Sequence, residues 1–328
     1  IPVLLTENER IYSFDEAYIH IDEADSLLLD NEFFIYGGLR PTVKIQYYST
    51  ASNVFFGGVL RTLKEKTFGS WNIEITEVKG KDTPATEGFD FYIFEHTVPK
   101  VLPKDGIIFL VNPDSSADAG FSIVRRNVQV NDYDGDGASL AIGDGEHPLV
   151  RYMDVEGIKV TQYSQVDEAS LERYDVLMYY EGNPVFFARN EADSKIAVMT
   201  FSLNMSTLAL SVYYPILIYN MFNYYLPSTL TEDLCDVYDT IEVNARGSDL
   251  IVTAPDGTEL LFGEFPAKLY IESFGTYTLR QQLISGEIVE EKFYAKVAAS
   301  QSDITREDVL SVPFAANGAQ KIIEDLLV

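Results

Sequence analysis

Phe89-Asp90-Phe91-Tyr92-Ile93-Phe94 is almost continuously apolar, five aromatic or β-branched residues interrupted by a single aspartate. A strand with one wet face would alternate, so this run reads as a strand covered on both faces. Working outward, Val43 to Tyr48 is a second short apolar strand. Val54 to Lys66 then repeats apolar residues at Phe55, Phe56, Val59, Leu60 and Leu63, the spacing of an amphipathic helix, with Ser52 placed to cap it. Trp71 to Val78 and Gly106 to Val111 supply further strands. Strands that alternate with helical patterns predict an α/β unit built on a mostly parallel sheet with helices on both faces.

The regularity breaks further along. Phe121 to Val130 and Ala138 to Ile142 read as a β-hairpin insertion around an acidic turn, and His147-Pro148 as a strand entry. Asp167 to Tyr174 predicts a short helix. Asp175 to Tyr180 and Pro184 to Arg189 predict strands paired across Glu181-Gly182-Asn183, and Ile196 to Leu203 another strand. Val212 to Leu226, apolar almost all round with Pro215 near its start, predicts a buried helix. After Pro227, strand signals return about every 8–12 residues, which predicts a small β-sandwich. The expected organisation is a β segment over 1–40, the α/β domain over 41–228 with its insertion near 120–143, the small sandwich over 229–300, and a polar, helix-compatible tail over 301–328.

Composition narrows the function. The 328 residues carry 24 Lys+Arg against 51 Asp+Glu, a formal charge of −27. Such a surface repels nucleic acid and anionic membranes, whose affinity comes mainly from basic side chains. One cysteine, Cys235, excludes an internal disulfide and any multi-cysteine zinc cluster. No apolar run reaches the ~18–20 residues that span a bilayer, so no membrane insertion by this stretch is expected.

The sharpest local motif is Asn131-Asp132-Tyr133-Asp134-Gly135-Asp136-Gly137. Asp132, Asp134 and Asp136 at alternating positions, with Gly137 sixth from Asp132, match the first half of an EF-hand loop, in which carboxylates converge on Ca²⁺. Position twelve is Gly143 rather than glutamate, with Asp144 and Glu146 nearby. The two readings are a calcium site and a solvated Asp/Gly turn. His96 and His147 are the candidate bases of a hydrolase. Neither is accompanied by a Gly-x-Cys-x-Gly or Gly-x-Ser-x-Gly nucleophile turn, and no other cofactor fingerprint occurs.

Several of these stretches carry a resemblance. Leu29-Asp30-Asn31 before an aromatic strand, Val43-Lys44-Ile45 leading to Asn53-Val54-Phe55-Phe56, Phe89 to Phe94, Leu102-Pro103 before Gly106, and His147-Pro148 form one series. Phe201-Ser202-Leu203 before Tyr214-Pro215-Ile216-Leu217, Gly275-Thr276-Tyr277 and Phe293-Tyr294-Ala295-Lys296 extend it. Together they resemble Bat-type bacterial membrane proteins with a von Willebrand factor A domain. The matching region there is a class I glutamine amidotransferase-like, flavodoxin-like α/β domain flanked by N- and C-terminal β-sandwich segments. The resemblance implies a soluble fragment of a membrane-anchored, extracytoplasmic, cell-surface protein. With no nucleophile motif, it also implies an interaction or scaffolding module with a protein partner, catalytically silent. The alternatives are a hydrolase or amidotransferase-like enzyme using His96 or His147, and a calcium-dependent surface-binding module.

Overall fold

The computed structural model describes residues 16–22, 31–37, 42–50, 54–65, 72–116, 118–130, 139–191, 194–230, 234–245, 250–283 and 288–298. The acidic loop at Asp132, Asp134 and Asp136, the cap expected at Ser52 and the tail from 301 lie outside them.

Strands β1 (Glu16–His20) and β2 (Glu32–Tyr36) form an antiparallel pair. Next come β3 (Thr42–Ser49), helix α1 (Val54–Glu65), β4 (Asn72–Lys79), β5 (Phe91–Glu95) and β6 (Ile107–Val111). Then follow β7 (Ile123–Gln129), β8 (Leu140–Ile142), β9 (Gln162–Val166), β10 (Asp175–Tyr180), β11 (Asn183–Glu191), β12 (Ser194–Met199) and helix α2 (Tyr213–Tyr225). The central sheet has eight strands in the order β4-β3-β5-β6-β12-β11-β10-β8. It is parallel from β4 to β12 and antiparallel from β12 to β8.

This mixed sheet corrects the expectation of a mostly parallel, flavodoxin-like or class I amidotransferase-like α/β fold. The reason is connection length. A parallel return needs a crossover of a dozen residues or more. Only Glu181 and Gly182 separate β10 from β11, both with left-handed backbone (φ 51° and 76°) that suits a tight hairpin turn. The link from β11 to β12 is equally short. Among the described residues, α-helices on both faces are not found either. Among the described residues the α-helices are α1 and α2, and both bury their apolar residues, Phe56, Leu60, Tyr214, Leu217 and Phe222 among them, in the same core. The opposite face, with Tyr92, Phe94, Leu110 and Phe187, is closed by Phe121, by Val166 at the end of β9, by Leu171 of the short 3₁₀ helix Glu168–Leu171, and by Tyr174 just after it. The expected hairpin insertion is also replaced: β7 pairs with β9, while β8 joins the central sheet beside β10.

The C-terminal strands are β13 (Leu234–Asp236), β14 (Thr240–Val243), β15 (Leu250–Thr253), β16 (Glu259–Phe262), β17 (Ala267–Tyr270), β18 (Gly275–Gln282) and β19 (Ile288–Lys296). A five-stranded sheet, β13-β19-β18-β15-β16, and the β14-β17 pair enclose one core of alternating residues such as Val243, Leu250, Val252, Tyr277, Leu279 and Phe293. The β1-β2 pair rests on this unit through the Tyr294 ring, which lies 5.5 Å from Phe33 and 5.6 Å from Phe34. The Tyr294 hydroxyl donates to the Glu32 carbonyl, and the hydroxyls of Tyr36 and Thr276 are 2.7 Å apart. A two-stranded pair is marginal by itself, so Tyr294→Ala is expected to raise amide exchange in β1 and β2 while leaving the central sheet protected. Unchanged exchange would show that the pair is held by something else.

Candidate functional site

In sheets with parallel strands, binding chemistry gathers beyond the carboxyl ends of those strands. Here β3 ends at Ser49, β5 at Glu95, and β6 at Val111, followed by Asn112. Period-two alternation puts Tyr47, Ser49 and Glu95 on the sheet face that α1 and α2 cover. Glu95 is fully buried. Its Oε2 accepts from the Tyr47 hydroxyl at 2.6 Å and from the Ser49 hydroxyl at 3.1 Å. Burial, and then the neighbouring Glu95 carboxyl, hold the Tyr47 phenol far above its ordinary pKa, so it remains a donor. Tyr214 approaches from α2. Its phenol is also held well above the ordinary value, first by burial and then by Glu95 and Tyr47. The Tyr214 hydroxyl is buried and has no hydrogen-bond partner.

His96 turns off the end of β5 with φ 64°, and Asn112 off the end of β6 with φ 45°, a backbone region that non-glycine residues seldom occupy. The two side chains meet with Asn112 Nδ2 3.1 Å from His96 Nδ1. An amide nitrogen only donates, so in this contact Nδ1 is the acceptor and Nε2 is the nitrogen that faces Glu95. That nitrogen stands 3.8 Å from Glu95 Oε1. That separation is longer than a hydrogen bond, and the Ser49 hydroxyl is directed at the carboxyl group instead of at the histidine. A serine nucleophile activated by histidine needs the opposite arrangement. What the geometry provides is a buried acceptor held by two hydroxyl donors, a latch across β3 and β5.

His147 lies elsewhere. It does not open a strand; it caps the 3₁₀ turn Pro148–Val150, its Nδ1 accepting from the Leu149 N–H at 3.2 Å. The ring lies 5.1 Å from that of Tyr224, and Nε2 is 3.8 Å from Asp175. Asn220 of α2 ties the same turn down by donating to the carbonyls of Leu149 and Arg151. Burial lowers the His147 pKa, with Asp175 and Asp144 opposing it. The unfolded chain then takes up a proton below about pH 6.5 that the folded chain resists. This contribution to stability is present above that pH and is lost as the pH falls further. His147→Asn, which keeps a capping group, is expected to flatten the decline in Tm between about pH 7 and 5. An unaltered decline would place the acid lability elsewhere.

Cys235 is buried in the C-terminal core, in β13, and does not meet the carboxyl-end cluster. Among the described residues, no group of three or more His, Cys, Asp or Glu side chains is placed to hold a metal ion. The structure thus brings His96 together with Glu95, Tyr47, Ser49 and Asn112, and keeps His147 and Cys235 apart from them. Glu95 was not singled out by the sequence. The signal for it is position: a carboxyl that continues a wholly buried strand and precedes a histidine.

No protein-family model matches the sequence, and no curated protein is found similar to it. Among solved structures, Cytoplasmic Protein STM1381 from Salmonella typhimurium LT2 aligns at 10% identity over 56% of this chain and 99% of that one, with a TM-score of 0.40. Cytoplasmic Protein STM3548 from Salmonella typhimurium gives 10%, 56% and 98%, with a TM-score of 0.39. A Thermoplasma acidophilum protein named for GMP synthase gives 11%, 54% and 94%, with a TM-score of 0.35. Likenesses of this strength do not place the chain in a fold family.

Proposed function

We propose that this chain is a non-catalytic interaction or scaffolding portion of a membrane-anchored bacterial protein, extracytoplasmic and engaged with a protein partner. The observation that carries the reading is the Glu95 latch. At the edge where a parallel sheet presents its chemistry, the carboxyl group is fully buried and holds the Ser49 hydroxyl that would otherwise serve as a nucleophile. The membrane anchor and the extracytoplasmic side rest on the sequence resemblance alone. Among the described residues no helix is long and apolar enough to cross a membrane.

A hydrolase is the second reading, favoured by the gathering of His96, Glu95 and Ser49 at one edge. Hydrolysis of glutamine, activated esters and peptides by the wild type, Ser49→Ala and His96→Ala separates the two. The scaffold reading expects any background turnover to be the same in all three proteins. Turnover that disappears in His96→Ala would establish the enzyme. The calcium reading of Asp132, Asp134 and Asp136 has its own test. A Tm that rises when CaCl₂ follows EDTA, and fails to rise in Asp134→Ala, would establish a site there.

A further inference from the structure

The chain is 23% charged, yet Ile196 to Thr231 contains no Asp, Glu, Lys or Arg in 36 residues. Much of this stretch is core, but part of it faces outward. Met205, Leu210 and Val212 are 43%, 77% and 70% exposed, and Tyr219, two turns along α2 from Val212, is 38% exposed. Val212, Ile216 and Tyr219 fall on one stripe of the helix by their spacing. Asn220, beside Tyr219, donates to the Arg151 carbonyl at 2.8 Å, which brings the loop carrying Tyr152 to this helix. Tyr152 is 80% exposed on a left-handed backbone (φ 63°), with the Arg151 guanidinium 5.7 Å from its ring centroid. Exposed apolar surface with a tyrosine and an arginine at its side has the composition of a contact surface.

The charge distribution indicates the occupant. The loop next to the stripe carries Arg151, Asp154, Glu156 and Lys159, two of each sign, in a molecule whose net charge is −27. A partner of like charge is repelled over most of such a surface and can approach where carboxylates are balanced or missing. A balanced border is also self-complementary, because a two-fold axis can set Arg151 of one copy against the acids of the other. We propose that this face, centred on Leu210 and Val212, is the contact between two copies of the chain. The inference rests on the interaction-module reading and names its partner.

The test is sedimentation of the full 328-residue chain across the micromolar range, at about 0.15 M and about 1 M NaCl, where the Debye length shrinks from about 8 Å to about 3 Å. Val212 is the N-cap residue of α2. Its backbone is already helical (φ −68°, ψ −16°) and the Ser211 hydroxyl accepts from the Tyr213 N–H, so Val212→Asp leaves that bond in place and sets a carboxylate on a 70% exposed position in the contact. Expected is a wild-type dimer that strengthens with salt, and a Val212→Asp chain of unchanged Tm that dimerises about tenfold or more weakly. A wild-type monomer at both salt concentrations would overturn the inference, as would a dimer indifferent to Val212→Asp. A monomer that binds zwitterionic lipid vesicles through the same residue would also overturn it, making the surface a lipid contact. None of these outcomes bears on His96-dependent turnover, so failure of the dimer and failure of the non-catalytic reading remain distinguishable.

Discussion

Phe109→Ala is expected to lower the unfolding free energy by about 3–5 kcal/mol. Phe109 lies in β6, between β5 and β12, and is fully buried. Its ring is 6.0 Å from that of Phe56 in α1 and 6.5 Å from that of Phe186 in β11, so it joins the helix layer to the antiparallel half of the sheet. Truncation leaves a cavity that strands held in register on both sides cannot close. Against a total of about 5–15 kcal/mol, such a loss brings the domain near its unfolding threshold. Urea unfolding followed by circular dichroism should show a lower midpoint at an unchanged slope. A loss below about 1 kcal/mol would mean that Phe109 is not at the centre of the core.

The next largest contrast lies within one cluster. Tyr47→Phe removes a donor from a fully buried acceptor and is expected to cost about 1–3 kcal/mol. Tyr214→Phe makes the same chemical change, but its hydroxyl is buried without a hydrogen-bond partner. Removing an unsatisfied polar atom relieves a desolvation penalty, so this variant is expected to be neutral or more stable. Equal losses would show that Tyr214 has a hydrogen-bonding role of its own at this end of the sheet.

The sequence disclosed most where the determinant is local. The helical spacing from Val54 to Lys66 corresponds to α1, Val54–Glu65, and the apolar run ending at Phe94 to β5, Phe91–Glu95. The alternation between Thr276 and Gln282 corresponds to β18, Gly275–Gln282. Strand pairing was much less legible. Phe121 to Val130 and Ala138 to Ile142 read as the two strands of one hairpin, yet β7 and β8 pair with β9 and β10 across long separations, and periodicity carries no information on that. The antiparallel half of the sheet was written in the short Glu181-Gly182 turn, which outweighs the helix-and-strand rhythm of the preceding residues. At the candidate site, His96 was visible as one of 3 histidines. Glu95 was one of 51 acids, and only burial at a strand end distinguishes it.

Glu95 is a structural latch gripped by two hydroxyls on one oxygen. A double-mutant cycle of Tyr47→Phe and Ser49→Ala, read by urea unfolding, tests it most directly. Because both donors share Oε2, the losses are expected to be non-additive, with a coupling of about 0.5–3 kcal/mol that vanishes when the cycle is repeated in Glu95→Ala. Additive losses, or a coupling that survives without Glu95, would contradict the latch and return this end of the sheet to the enzymatic reading.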